Sequence, residues 1–125
     1  MEYVVLPKFT GKVNSNAFRN CPNLLAFDAK TTIIGGADNF HDDPKLKIVI
    51  LRGSLCALQG INTFLGTPFA SGGTGGILYV PQALISDYQS ETNWSTILSY
   101  ENNQILPIEG SIYETQYADG TPISS

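Results

Sequence analysis

The residues able to carry acid–base, nucleophilic or metal chemistry are few: one histidine, two cysteines and eleven acids in 125 residues. His41, Asp42 and Asp43, with Asp38 nearby, form a carboxylate-rich segment of the kind that can take a hard cation. The same segment also reads as a solvated turn between repeats, since an earlier copy of the pattern has Arg19, Asn20 and Cys21 there. Cys21 and Cys56 are expected to be two small buried hydrophobes rather than a disulfide, and a metal site would need more ligands than these and one histidine. A serine or cysteine nucleophile would need His41 as its base, and no spacing pairs them. Glu91 and Glu101, like Asp42 and Asp43, have no apolar setting that would raise a carboxyl pKa for acid catalysis. The glycine-rich run Ser71 to Gly76 has no following Lys-Ser/Thr and leads into a strand, so it is a plain loop rather than a phosphate cradle. The chain is therefore expected not to be an enzyme and to use no metal or cofactor.

What must position any site is a repeat. Phe18, Pro22, Leu24, Phe27 and Ala29 recur as Phe40, Pro44, Leu46, Val49 and Leu51, at a single offset of 22 residues. A fixed period in the low twenties is the signature of a solenoid rung. Strands are expected at 3–6, 24–29, 46–51 and 77–80, with Phe27, Ala29, Leu46, Val49 and Leu51 directed inward. Val13 and Phe18 anchor the first return side. Leu58 and Phe64 keep the return-side anchors of a third, degenerate copy.

Pro81 ends the last of these strands, because proline cannot donate to a sheet ladder, and it suits the first position of a helix. Ala83, Leu84 and Tyr88 fit one face of a short helix. Asn93 reads as the cap of a second, with Trp94, Ile97 and Leu98 inward, and Ile105, Leu106 and Ile108 as a last extended piece. A solenoid exposes its core at its ends, so residues 81–109 are expected to form a C-terminal helical cap with Trp94 as its plug. The division is thus a repeat domain over 1–109, cap included, and a polar tail over 110–125 that is loosely held or docks on a neighbour.

Charged residues make up only 14% of the chain, which argues against disorder. The net charge is −4, with Lys and Arg read as scattered, so binding to nucleic acid by charge is not expected. No apolar run approaches a membrane span, so no membrane insertion is expected. The opening MEYVVLPKF lacks the basic and apolar regions of a signal peptide.

The F-x-x-C-P-x-L spacing at Phe18 to Leu24 resembles the BspA-like leucine-rich repeats. The stretches GTPFASG, LYVPQALISDY and TNWSTIL resemble the terminal segments of such proteins from gut bacteria and their phages, so the likeness spans residues 6–113. The resemblance implies an α/β solenoid, a short leucine-rich-repeat parallel β-sheet with an irregular convex side. It also implies a non-enzymatic adhesion or structural role. The expectation is a phage virion protein, a fibre, tip or decoration domain used in assembly and host attachment. The alternative is a domain of a bacterial cell-surface adhesin. The chain departs from the family in having only two good repeats and a degenerate one.

The outward side of the strands carries Tyr3, Val5, Ile48, Ile50, Ile77 and Tyr79, with Ala26 and Asp28. A solvated face should alternate to polar, and large apolar patches mark contacts. Either the C-terminal segment folds back over this face or a partner covers it. The partners considered are other virion or surface-protein subunits, copies of this chain included, and a host surface glycan or protein.

Overall fold

A computed structural model describes residues 2–13, 18–35, 39–64, 66–69, 75–98 and 104–123. Five strands form one parallel sheet: β1 (Tyr3–Thr10), β2 (Ala26–Thr31), β4 (Ile48–Leu51), β6 (Ile77–Val80) and β7 (Gln104–Pro107). They lie side by side in the order in which the chain makes them. Between them, β3 (Ile33–Ile34) and β5 (Ala57–Leu58) form a small second parallel pair, and Val13 adds an isolated bridge to Ile34. The apolar pairs Ile33-Ile34 and Ala57-Leu58 are too short to announce themselves as strands by periodicity.

The side-chain register is the one the repeat requires. Phe27, Ala29, Val49, Leu51, Leu78 and Val80 point into one core. Ala26, Asp28, Ile48, Ile50, Ile77 and Tyr79 alternate to the other side. The boundaries differ from the expected ones. β1 runs on to Thr10, with an irregularity between Leu6 and Phe9. Leu24 and Leu46 are buried, but they sit in the turns that precede β2 and β4.

The turns repeat in backbone as well as in sequence. Phe18, Phe40 and Phe64 each stand two residues before a left-handed residue: Asn20 (φ 57°), Asp42 (φ 61°) and Gly66 (φ 81°). Asn, Asp and Gly are the residues that tolerate this region. At Gly66 a Cβ would lie 2.7 Å from Asp42 Oδ1, so the third turn is closed to side chains by its neighbour as well as by its backbone angle. The rings form a column. Phe18 stacks on Phe40 at 5.7 Å and Phe40 on Phe64 at 5.2 Å, with Phe27 edge-on to Phe40. Backbone bonds run from copy to copy alongside it: Phe18 N to Asn39 O, and Phe40 N to Thr63 O, both at 2.9 Å. The Asn39 amide donates to Val13 O, which also accepts from Gly35 N, and to Gly35 O, where Thr63 Oγ1 donates as well, so buried side chains add to the bonding of the return-side carbonyls.

Two short helices, α1 (Ile85–Ser90) and α2 (Thr92–Leu98), close one end of the core. Trp94 packs on Phe64 at 5.8 Å and on Tyr88 at 5.9 Å, and its indole N–H donates to Cys56 O at 2.8 Å. The Tyr88 hydroxyl accepts from Cys56 N at 2.7 Å. Two details correct the sequence reading. Ala83 is exposed in a 3-10 turn (Gln82–Leu84) and does not share the buried face of Tyr88. Asn93 lies inside α2 and is not its cap; its amide donates to Leu58 O at 2.6 Å, while Glu91 accepts from Trp94 N. Residues 71–74 of the expected Ser71 to Gly76 loop, the break at Asn102-Asn103, and the candidate acids Asp38 and Glu101 lie outside the described residues.

Phe40 sits between two stacked neighbours and is fully buried, whereas Phe18 at the column's end is half-buried. Phe40→Ala should therefore cost about 3–5 kcal/mol in denaturant unfolding, and Phe18→Ala roughly half of that or less. Equal costs at the two positions would show that the column is not continuous.

Candidate interaction site

The outward face of the sheet is where the sequence places a contact surface, and the chain's own C-terminal segment lies across part of it. Ile108 and Tyr113 pack on Ile50 in a second apolar cluster, joined at its edge by Ile48, Tyr79 and Ala118. Tyr79 meets Tyr113 edge-on at 4.9 Å. Ile50 faces outward, as the register requires, but it is fully buried under this segment. It therefore drops out of the expected contact face. Val5, Ile48, Ile77 and Tyr79 are half-buried, and Tyr3 is 39% exposed.

The segment holds its shape locally. Ser111 Oγ donates to Ile108 O and accepts from Tyr113 N, capping a 3-10 turn (Ile112–Glu114). Gln116 and Pro122 form an antiparallel bridge, and Tyr117 N donates to Thr121 O at 2.8 Å. Asp119 accepts from both the N–H and the hydroxyl of Thr121, and these bonds lower its pKa.

A buried ion pair clamps the segment to the sheet. Asp28 on β2 was expected to be an outward polar residue, yet it is 1% exposed. Arg52, one residue beyond β4, binds it bidentately: Nε to Oδ1 at 2.7 Å and Nη2 to Oδ2 at 2.8 Å. The guanidinium has donors to spare, and these reach main-chain carbonyls of the tail, Tyr113 O at 2.6 Å and Gln116 O at 3.1 Å. Its carbon also lies 5.4 Å from the centre of the Tyr117 ring. Asp28 Oδ2 accepts in addition from Ala118 N at 2.8 Å. Burying two charges is costly unless their hydrogen bonds are filled, and here the pair fills them with tail backbone. The polar tail was expected to be loose or to reach for a neighbour. It docks on its own sheet instead, because the sheet carries a charge pair with bonds to spare.

Where the tail stops, a cleft of about 240 Å³ remains, lined by Tyr3, Leu25, Ala26, Lys47, Ile48, Tyr113 and Ala118. It has an apolar floor, two tyrosines in its walls and one cation, Lys47. It is the open remnant of the outward face. Tyr3 and Ile48 of the expected face line it. Val5, Ile77 and Tyr79 do not.

The residues first weighed for chemistry are placed otherwise. Among the described residues, no group of three or more His, Cys, Asp and Glu side chains is placed to hold a metal ion. Nor is any described helix long and apolar enough to cross a membrane. The turn at residues 41–44 is not simply solvated. Asp43 is fully buried and its Oδ1 accepts from Cys21 N at 2.6 Å, tying two copies of the turn together. Its Oδ2 has no partner among the described residues. Burial pushes its carboxyl up to about 6, against the pull of the Cys21 bond; Asp42 adds to the rise and His41 opposes it. Cys56 is buried, and burial with Glu91 nearby pushes its thiol up to about 12, far from nucleophilic use. Cys21 is half-buried, and its thiol is also raised, first by burial and then by Asp43.

Arg52→Ala would leave Asp28 charged and unpaired under the tail, at a cost of about 3–5 kcal/mol, and residues 110–123 would become protease-sensitive before the rest of the chain. Replacing both partners by apolar residues, Asp28→Leu with Arg52→Met, should destabilise less than Arg52→Ala alone. If Arg52→Ala left cleavage within the tail unchanged, the clamp would not be what holds it. The Asp43 carboxyl holds its proton more tightly in the folded chain than in the unfolded one, where the ordinary value is 3.8. Its contribution to stability is thus complete below the unfolded value and is lost as pH rises through about 6. Melting temperatures across this range should fall with pH in the native protein, and more shallowly in Asp43→Asn.

No family model, no curated protein and no solved structure matches the chain, so nothing in these comparisons ties it to the BspA-like repeats.

Proposed function

We propose that this chain is a short solenoid of the leucine-rich-repeat kind, a non-enzymatic structural and adhesion module of a phage virion that contributes to assembly and host attachment. The observation that carries the reading is the congruence of successive copies. Phenylalanines at 18, 40 and 64 stack, each followed by a left-handed residue, and parallel strands add in chain order. Such a framework presents a fixed surface and has no need of a catalytic constellation. The open cleft beside Tyr3 and Lys47 supports the attachment half of the reading. A tyrosine wall over an apolar floor suits the face of a sugar ring or an apolar side chain, and Lys47 suits an anionic group beside it.

Fluorescently labelled protein should bind saturably to the surface of particular strains in a panel of gut bacteria. Tyr3→Ala and Lys47→Glu should each weaken that binding, the former by roughly tenfold or more. Binding that neither variant alters would move the contact away from the cleft. Absence of binding to any strain, together with absence of the chain from purified particles, would defeat the proposal.

A further inference from the structure

Among the described residues the sheet has two unpaired edges, and they differ in charge. β1 is the last strand on one side and β7 on the other. Glu2 O accepts from Leu25 N, so the even residues of β1 face β2, and the N–H and C=O of Tyr3 and Val5 point away from the sheet. Gln104 N donates to Gly76 O and Ile108 N to Val80 O, so the even residues of β7 face β6. Ile105 and Pro107 then point outward on the far edge, and Pro107 has no N–H to offer.

All seven lysines and arginines lie at or before Arg52. Beyond it the chain carries Asp87, Glu91, Glu101, Glu109, Glu114 and Asp119 and no cation. The end formed by β1 carries exposed Lys8, Lys12 and Arg19 against one exposed acid, Glu2. The end formed by β7 follows the cap, which holds exposed Asp87 and Glu109. The aromatic column is likewise asymmetric: Trp94 covers it at the acidic end, while Phe18 is only half-buried at the basic end.

We infer that the β1 edge of one copy receives the β7 edge of a second copy, head to tail, extending the parallel sheet from molecule to molecule. The strand directions match, because every pair within the sheet is parallel and the same translation continues it. In that register Ile105 sits between Tyr3 and Val5, donating its N–H to Tyr3 O and accepting from Val5 N on its carbonyl. Opposite charges orient the approach, and a head-to-tail contact of this kind leaves a free edge on each new end. Pro107 limits the backbone pairing to the neighbourhood of Ile105, so the contact is short and reversible, unlike a fibril. The inference deepens the assembly half of the proposed role, and rests on it, by naming the partner as a second copy. It shares Tyr3 with the cleft but uses only the main chain of that residue, whereas the cleft uses its ring.

The test uses the whole chain and two variants, Val5→Pro and Ile105→Pro. Each removes an N–H that points away from the sheet, so neither breaks a bond within it. Sedimentation of the native chain over rising concentration should show species longer than a dimer, weakened by salt. Each contact needs an intact β1 edge and an intact β7 edge, so each variant alone, in which every copy lacks the same edge, should stay monomeric. An equimolar mixture adds only the pairing of the two intact edges, an Ile105→Pro copy giving its β1 to the β7 of a Val5→Pro copy, so it should yield a one-to-one dimer that neither variant forms alone. A native chain that stays monomeric throughout overturns the inference. So does a variant that still associates as the native chain does, since that indicates a contact elsewhere. Should either proline disturb folding, hydrogen exchange of the native chain decides. Concentration-dependent protection of the Val5 and Ile105 amides is expected, and its absence overturns the head-to-tail contact. Loss of cell binding in Tyr3→Ala with self-association intact would separate the two readings.

Discussion

A parallel sheet built from consecutive strands has two apolar faces, and the rest of this structure follows from the need to cover both. On the inner side the return segments do it, with the phenylalanine column as their spine and Asn39 and Thr63 quieting the carbonyls between them. On the outer side no crossover helix lies among the described residues, because the described return segments pack on the inner side. The C-terminal segment fills the vacancy in part. Its docking requires polar backbone to lie against apolar residues, and the Asp28–Arg52 pair makes that possible by taking up the Tyr113 and Gln116 carbonyls and the Ala118 N–H. A pair that would be a doubtful asset on its own becomes favourable because its unused bonds are matched.

Much of this frame could be read in the residues. The offset between Phe18 and Phe40 announced the period, and with it the inward set Phe27, Ala29, Val49 and Leu51. Trp94 and Tyr88 were recognisable as cap residues because large aromatics near a predicted helix have few other uses. What escaped was non-local. Nothing in the neighbourhood of Asp28 marks it as the partner of Arg52, and Ala118, which completes its coordination, lies 90 residues away. Asp43 reads as a turn acid because its own segment is polar. Its burial comes from the preceding copy, whose Cys21 N–H needs an acceptor. The distribution of cations, by contrast, was present in the sequence. A net charge of −4 conceals a basic first portion and an acidic remainder, and a total cannot reveal a gradient.

The two carboxylates at comparable depth illustrate how burial alone does not determine behaviour. Asp28 accepts from a guanidinium and a backbone amide, so both its oxygens are bonded at the centre of a clamp. Asp43 receives one amide and has an oxygen with no partner among the described residues, and burial pushes its carboxyl toward neutrality. The difference lies in the number of donors each meets.

The tail is gripped chiefly through its carbonyls, and Ile112 stands 63% exposed between Ser111 and the buried Tyr113. Carbonyls are common to every residue type, so the hold is largely indifferent to what side chains the outer turn displays. Sequence can drift at Ile112 and Thr115 without loosening the strap, provided that Ser111 and Tyr113 are kept, whereas Glu114 accepts from Gly110 N. For a lineage under pressure to change its surface this is a permissive patch set on a rigid base, and for a protein engineer it is a ready position at which to graft a short foreign epitope.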